Sequence, residues 1–150
     1  MSLTYKRILV AIDGSQEASW AFKKSLEICK RNNAALIITH VIDTRTFATV
    51  EAYDRTVAEK AEKYAEQLMS EYKLHAEQAG VKEVFTTISY GSPKVKIAKE
   101  IAPKHHVDLI ICGATGLNAV ERFFIGSVSE HITRYAKCDV LVVRTNKDSI

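Results

Sequence analysis

Four short, almost uniformly apolar runs rich in β-branched residues, separated by stretches long enough for helices, constrain this 150-residue chain most strongly. The first covers residues 6–12 and closes with Asp13-Gly14-Ser15. Residues 34–41 and 107–112 form the next two, and Val140-Leu141-Val142-Val143 the last. Between the second and third lies an alternating run, Val84-Phe85-Thr86-Thr87-Ile88-Ser89. Runs without polar alternation read as strands covered on both faces. The intervening stretches carry helical spacing. Ala18, Ala21, Phe22, Ile28 and Cys29 mark a helix that Ser15 can cap and Asn32-Asn33 stops. Residues 42–50 show no period and read as a loop. Val57, Ala61, Tyr64, Ala65, Leu68, Tyr72, Ala76 and Ala79 mark one face of a long helix ended by Gly80. Gly91-Ser92-Pro93 opens another, with Ser92 capping and Pro93 in the first turn. Phe124, Val128, Ile132 and Tyr135 belong to the last helix. Strands alternating with such helices require right-handed crossovers and a parallel sheet. The expected fold is α/β: one Rossmann-like domain over residues 1–150, a five-stranded parallel sheet with helices on both faces.

Ligands of such folds sit beyond the carboxyl ends of the strands, where the winding reverses. The chain places a glycine pattern there: Gly113-x2-Gly116-x9-Gly126-Ser127, directly after the run at 107–112. Glycine lets backbone approach an anion, and free N–H groups at a helix start, aided by the helix dipole, hold it. A strand exit at Gly113 and a turn at Gly116, without any ligand, is the alternative.

The composition excludes several classes. A formal net charge of +3 is spread along the chain with no Lys/Arg block and no interleaved aromatic row, which argues against nucleic acid. No stretch approaches the ~18 apolar residues that span a bilayer, and no leader is evident, so a cytoplasmic location is expected. Cys29, Cys112 and Cys138 form no C-x-x-C pair and read as packing residues. His40 reads as a satisfied structural histidine, His105-His106 as a solvated loop and His131 as a packing residue.

Strand one with Ala11-Ile12-Asp13-Gly14-Ser15, His40-Val41 at the end of strand two, and the glycine pattern resemble the universal stress protein family. Gly126-Ser127-Val128-Ser129-Glu130 and Cys138-Asp139-Val140-Leu141-Val142-Val143 are especially similar, and the likeness runs from Tyr5 to Arg144. Members of that family with the full glycine pattern bind ATP. The resemblance implies that Asp13 approaches the ribose hydroxyls and that backbone groups of Val41 read the adenine edge. By the same likeness Ala11 and Ile12 line the adenine pocket, Gly113 and Gly116 approach the phosphates, and Gly126, Ser127, Val128 and Ser129 supply donors. Mg²⁺ is the implied companion of the phosphates, with ADP or AMP as alternative nucleotides. It also implies a homodimer through the last strand, 140–143, whose apolar edge would otherwise stay unpaired.

Two departures stand out. Lys137 and Asp139 flank Cys138 where the family often has prolines, and Ala114-Thr115 replace a basic residue often found between the first two glycines. Phosphate charge is then expected to be met mainly by N–H groups, Arg122 and the metal. Phe123-Phe124 read as core or lid. No G-x-x-x-x-G-K-[ST] lysine loop is present and no base is evident beside Ser127, so the expectation is a nucleotide-binding signalling homodimer without assigned catalytic residues. A weak ATPase or self-phosphorylating protein, and a nucleotide-free dimeric scaffold, are the alternatives.

Overall fold

The computed structural model describes residues 3–44, 55–115 and 125–145. The elements run β1 (Arg7–Ala11), α1 (Gln16–Asn32), β2 (Ala35–Asp43), α2 (Arg55–Gln78), β3 (Val84–Gly91), α3 (Pro93–Lys96), a π-helical turn (Ile97–Ile101), α4 (Ala102–Lys104), β4 (Leu109–Gly113), α5 (Ser127–Tyr135) and β5 (Asp139–Val143). All five strands pair in parallel, in the order β3-β2-β1-β4-β5. The expected sheet is therefore present, with β5 at an edge. The strands progress outward from β1 to β3, then return to β4 on its other side. The winding reverses between β1 and β4.

Strand alternation sorts the apolar side chains into two layers. Ile8, Val10, Leu36, Ile38 and Ile111 pack against Ala21, Phe22 and Cys29 of α1 and Met69 and Ala76 of α2. Leu9, Ile37, Val41 and Ile110 pack on the other face, against Ile97, Ala98, Ile101 and Ile132. Ile8, Leu9, Leu36, Ile37, Ile38, Ile110 and Ile111 are completely buried. Each contributes roughly 1.5–3 kcal/mol through burial. Covering both faces is what makes β1, β2 and β4 continuously apolar.

Local chemistry accounts for most boundaries. The Ser15 hydroxyl accepts from the Ala18 N–H at 3.1 Å and caps α1. Asn33, left-handed at φ 53°, ends that helix. Pro103 lacks the N–H that an α-helix would direct to Lys99. The helix widens into a π turn just before it, with the Ala102 N–H reaching the Ile97 carbonyl.

Some expectations need correction. Ile42 and Asp43 belong to β2 and pair with Tyr90 and Gly91, because β3 also runs two residues further than its alternation implied. Ser92 stands at the N-cap position of α3, but its hydroxyl makes no capping bond. The buried stripe of α2 is Ala65, Met69 and Ala76, while Val57 and Tyr64 are exposed. Asp139 opens β5 and accepts from the Tyr5 hydroxyl at 2.8 Å, a bond that raises the Tyr5 pKa. Among the described residues no helix is long and apolar enough to cross a membrane.

Candidate functional site

The register of β1 against its two neighbours assembles the site. Ala11 pairs with Thr39, so Asp13 follows at the level of Val41; Val10 pairs with Ile111, so Asp13 also falls level with Ala114. One further sheet bond, Ile12 N–H to the Thr39 carbonyl at 2.9 Å, extends the pairing past β1. The chain then turns at Gly14, whose φ of 87° favours glycine.

Asp13 organises that turn. Its Oδ1 accepts from the Ser15 N–H at 2.9 Å and from the Ser15 hydroxyl at 2.5 Å. Ser15 in turn caps α1, so the turn-and-cap role is real for both residues. Asp13 Oδ2 meets no hydrogen-bond partner among the described residues. His40 Nδ1 lies 2.7 Å from the Ile12 carbonyl, which can only accept, so Nδ1 carries the proton. That bond makes His40 a structural residue. Ala11 and Ile12 point to opposite faces: Ala11 packs in the layer of Val41, while Ile12, 2% exposed, is held in the layer of Phe22.

At the exit of β4, Gly113 lies against the first turn of α1. A Cβ there would stand 3.0 Å from the Glu17 carbonyl oxygen and 3.1 Å from the Glu17 carbonyl carbon. Close helix–strand packing therefore favours glycine at 113, independent of any ligand, since the Glu17 backbone would have to give way to a Cβ. Ala114 follows as a junction. Its N–H donates to the Val143 carbonyl at 2.9 Å, and its carbonyl accepts from the Gly126 N–H at 2.7 Å and the Ser129 hydroxyl at 2.9 Å. Ser129, 2% exposed, also lies 3.1 Å from the Gly126 carbonyl. Its hydroxyl ties α5 to β4 and is committed to carbonyls. Ala114 itself is 4% exposed, which suits the small side chain found there.

These ties fix the start of α5 beside the β4 exit. The first bond within the helix is Glu130 N–H to the Gly126 carbonyl, at 3.0 Å. The N–H groups of Ser127, Val128 and Ser129 meet no acceptor among the described residues, and Gly126 supplies no side-chain cap. Three unsatisfied donors at the positive end of a helix favour an anion. Ser127 is exposed there. Gly116, Arg122 and Phe123-Phe124 lie outside the described residues, so the middle of the glycine pattern has no structural account.

The three cysteines are held as neutral thiols. Burial pushes the Cys29 and Cys112 thiols up to about 12, and desolvation also raises Cys138. Desolvation, with Lys99, Lys94 and Arg134 nearby, lowers the His131 pKa. Among the described residues no three His, Cys, Asp or Glu side chains converge as a metal site. The periodicity missed one neighbour of the crevice. Tyr64, counted there as core, instead puts its hydroxyl in the space a Cβ on Gly14 would need. Its ring meets that of His40 edge-on, with centroids 6.3 Å apart. An aromatic at the margin of an apolar stripe is the only sequence signal for such a placement.

Fold and crevice together define a doubly wound α/β domain with an anion-favouring helix start at its switch point. The profile of the universal stress protein family matches residues 4–144, and the chain belongs to that family. It is 53% identical to a "Putative universal stress protein" of Staphylococcus haemolyticus over 97% of this chain and 88% of that one. The universal stress protein UspA from Lactobacillus plantarum superposes with a TM-score of 0.85 at 32% identity, covering 95% of this chain and all of that one. A universal stress protein solved in complex with cAMP gives a TM-score of 0.70 at 26% identity, covering 94% and 98% of the two chains.

Proposed function

We propose that this chain binds an adenine nucleotide, ATP in the first instance and ADP or AMP as alternatives, in the crevice between the β1 and β4 exits. We further propose that it acts as a regulatory homodimer. The observation that carries the nucleotide reading is the start of α5, where three N–H groups without acceptors among the described residues are anchored beside the β4 exit by Gly126 and Ser129. Phosphate oxygens satisfy such donors and the helix dipole together. Asp13, with Oδ2 unengaged, stands at the neighbouring strand end as an acceptor suited to a sugar diol. The related protein solved with cAMP supports the adenine class.

The proposed roles follow the layout. Ser127, Val128 and Ser129 donate backbone N–H groups to phosphate, with the exposed Ser127 hydroxyl adding a donor. Gly113 and Gly126 set the approach of backbone to the anion, and Gly116 completes the glycine pattern in sequence. Val41 offers backbone groups to the base, with Ala11 on the same face of the sheet and Ile12 contributing through its backbone. Mg²⁺ would enter on the phosphate oxygens, since it needs few protein ligands.

Titration calorimetry with MgATP tests this reading. Saturable binding at one nucleotide per chain is the expected result. No saturation by about 1 mM, which corresponds to only about 4 kcal/mol of binding energy, contradicts it.

A further inference from the structure

Tyr64 is half exposed on α2, yet its hydroxyl lies directly over Gly14 at the end of β1. Among the described residues that hydroxyl makes no hydrogen bond. Its position is set from two sides. The ring leans edge-on against His40, which is itself fixed by the Ile12 carbonyl. Ala65, the next residue of α2, is completely buried and anchors this turn of the helix on the sheet. Burial raises the pKa of neighbouring Tyr72, and Asp13 and Tyr64 raise it further. Among the described residues, an unpartnered phenol and an unengaged carboxylate oxygen therefore both stand at the Gly14 turn.

Their chemistries are complementary. A sugar hydroxyl that gives its proton to a carboxylate still has lone pairs to satisfy, and a phenol O–H can donate to them. We propose that Tyr64 is a specificity-determining residue for the nucleotide sugar, donating from its hydroxyl to the diol that Asp13 accepts from. This rests on the nucleotide reading above and adds to it a recognition residue from α2. It also gives Gly14 a second purpose. A side chain at 14 would displace the Tyr64 hydroxyl as well as strain the turn.

The experiment compares wild type with Tyr64→Phe, titrated with ATP and with 2′,3′-dideoxy-ATP. Phenylalanine keeps the ring against His40 and removes only the hydroxyl, so folding is preserved. ATP affinity should fall about 3- to 10-fold, the effect of one uncharged hydrogen bond, while dideoxy-ATP affinity stays unchanged. Equal losses for both ligands would assign Tyr64 to packing and overturn the proposal. Unchanged ATP affinity in the variant would overturn it too, with the nucleotide site intact. Failure of wild type to bind ATP would remove the nucleotide reading and this proposal together.

Discussion

At the exit of β1, the Asp13 carboxylate would, on the proposed reading, divide its two oxygens between structure and ligand. Oδ1 holds the Ser15 N–H and hydroxyl, fixing the turn that starts α1, and Oδ2 has no partner among the described residues. Replacement by alanine would confuse the two roles. Asp13→Asn keeps an acceptor for Ser15 but replaces the second acceptor with an amide donor. The expected outcome is a denaturation midpoint close to wild type and a loss of ATP affinity of about 1.5–3 kcal/mol, the range for a hydrogen bond to a charged group. A destabilised protein with unchanged affinity would confine Asp13 to the turn. Gly113 is a poorer probe. A larger side chain there would press on the Glu17 backbone of α1, so lost binding would report displaced packing rather than phosphate contact.

Among the elements, β5 is the one on which the proposed homodimer rests. It is the outer strand beyond β4, and Val140, Leu141 and Val142 are only partly buried. Successive residues of a strand direct their backbone polar groups to alternate sides. The Val143 carbonyl accepts from Ala114 on the β4 side, so the Val142 N–H points away from the sheet. Val142→Pro therefore removes an outward donor and leaves the β4–β5 pairing intact. Light scattering coupled to size exclusion should show a wild-type dimer and a folded, monomeric Val142→Pro variant. A wild-type monomer at tens of micromolar would refute the dimer, and a dimer in both would place the interface elsewhere. The strands were legible in the sequence because burial on both faces leaves an unbroken apolar run, as at Ile8-Leu9-Val10. The edge strand β3 was legible only as an alternation, and its last two residues were hidden by the turn chemistry of Gly91-Ser92-Pro93. Helix faces were read less well. Tyr64 and Met69 both sit near the apolar stripe of α2, and spacing alone cannot tell which one the sheet covers.

For the whole molecule, parallel winding determines where a ligand can act. Reversal between β1 and β4 opens a crevice, and the glycine pattern runs from the β4 exit to the start of α5 at that same end. That coincidence was readable from the order of elements. The ties that give it physical meaning were not. Ala114 joins β5, Gly126 and Ser129 through its backbone, and a backbone junction leaves no signature beyond a small buried residue. The central claim is that an adenine nucleotide occupies this crevice with its phosphates on the first turn of α5. Backbone amide chemical-shift mapping during an ATP titration tests it most directly. Shifts should concentrate at Asp13 to Ser15, Val41, Gly113 to Thr115 and Gly126 to Ser129. Saturable shifts confined to the β5 edge or the outer faces of the helices, with those amides unmoved, would contradict the account.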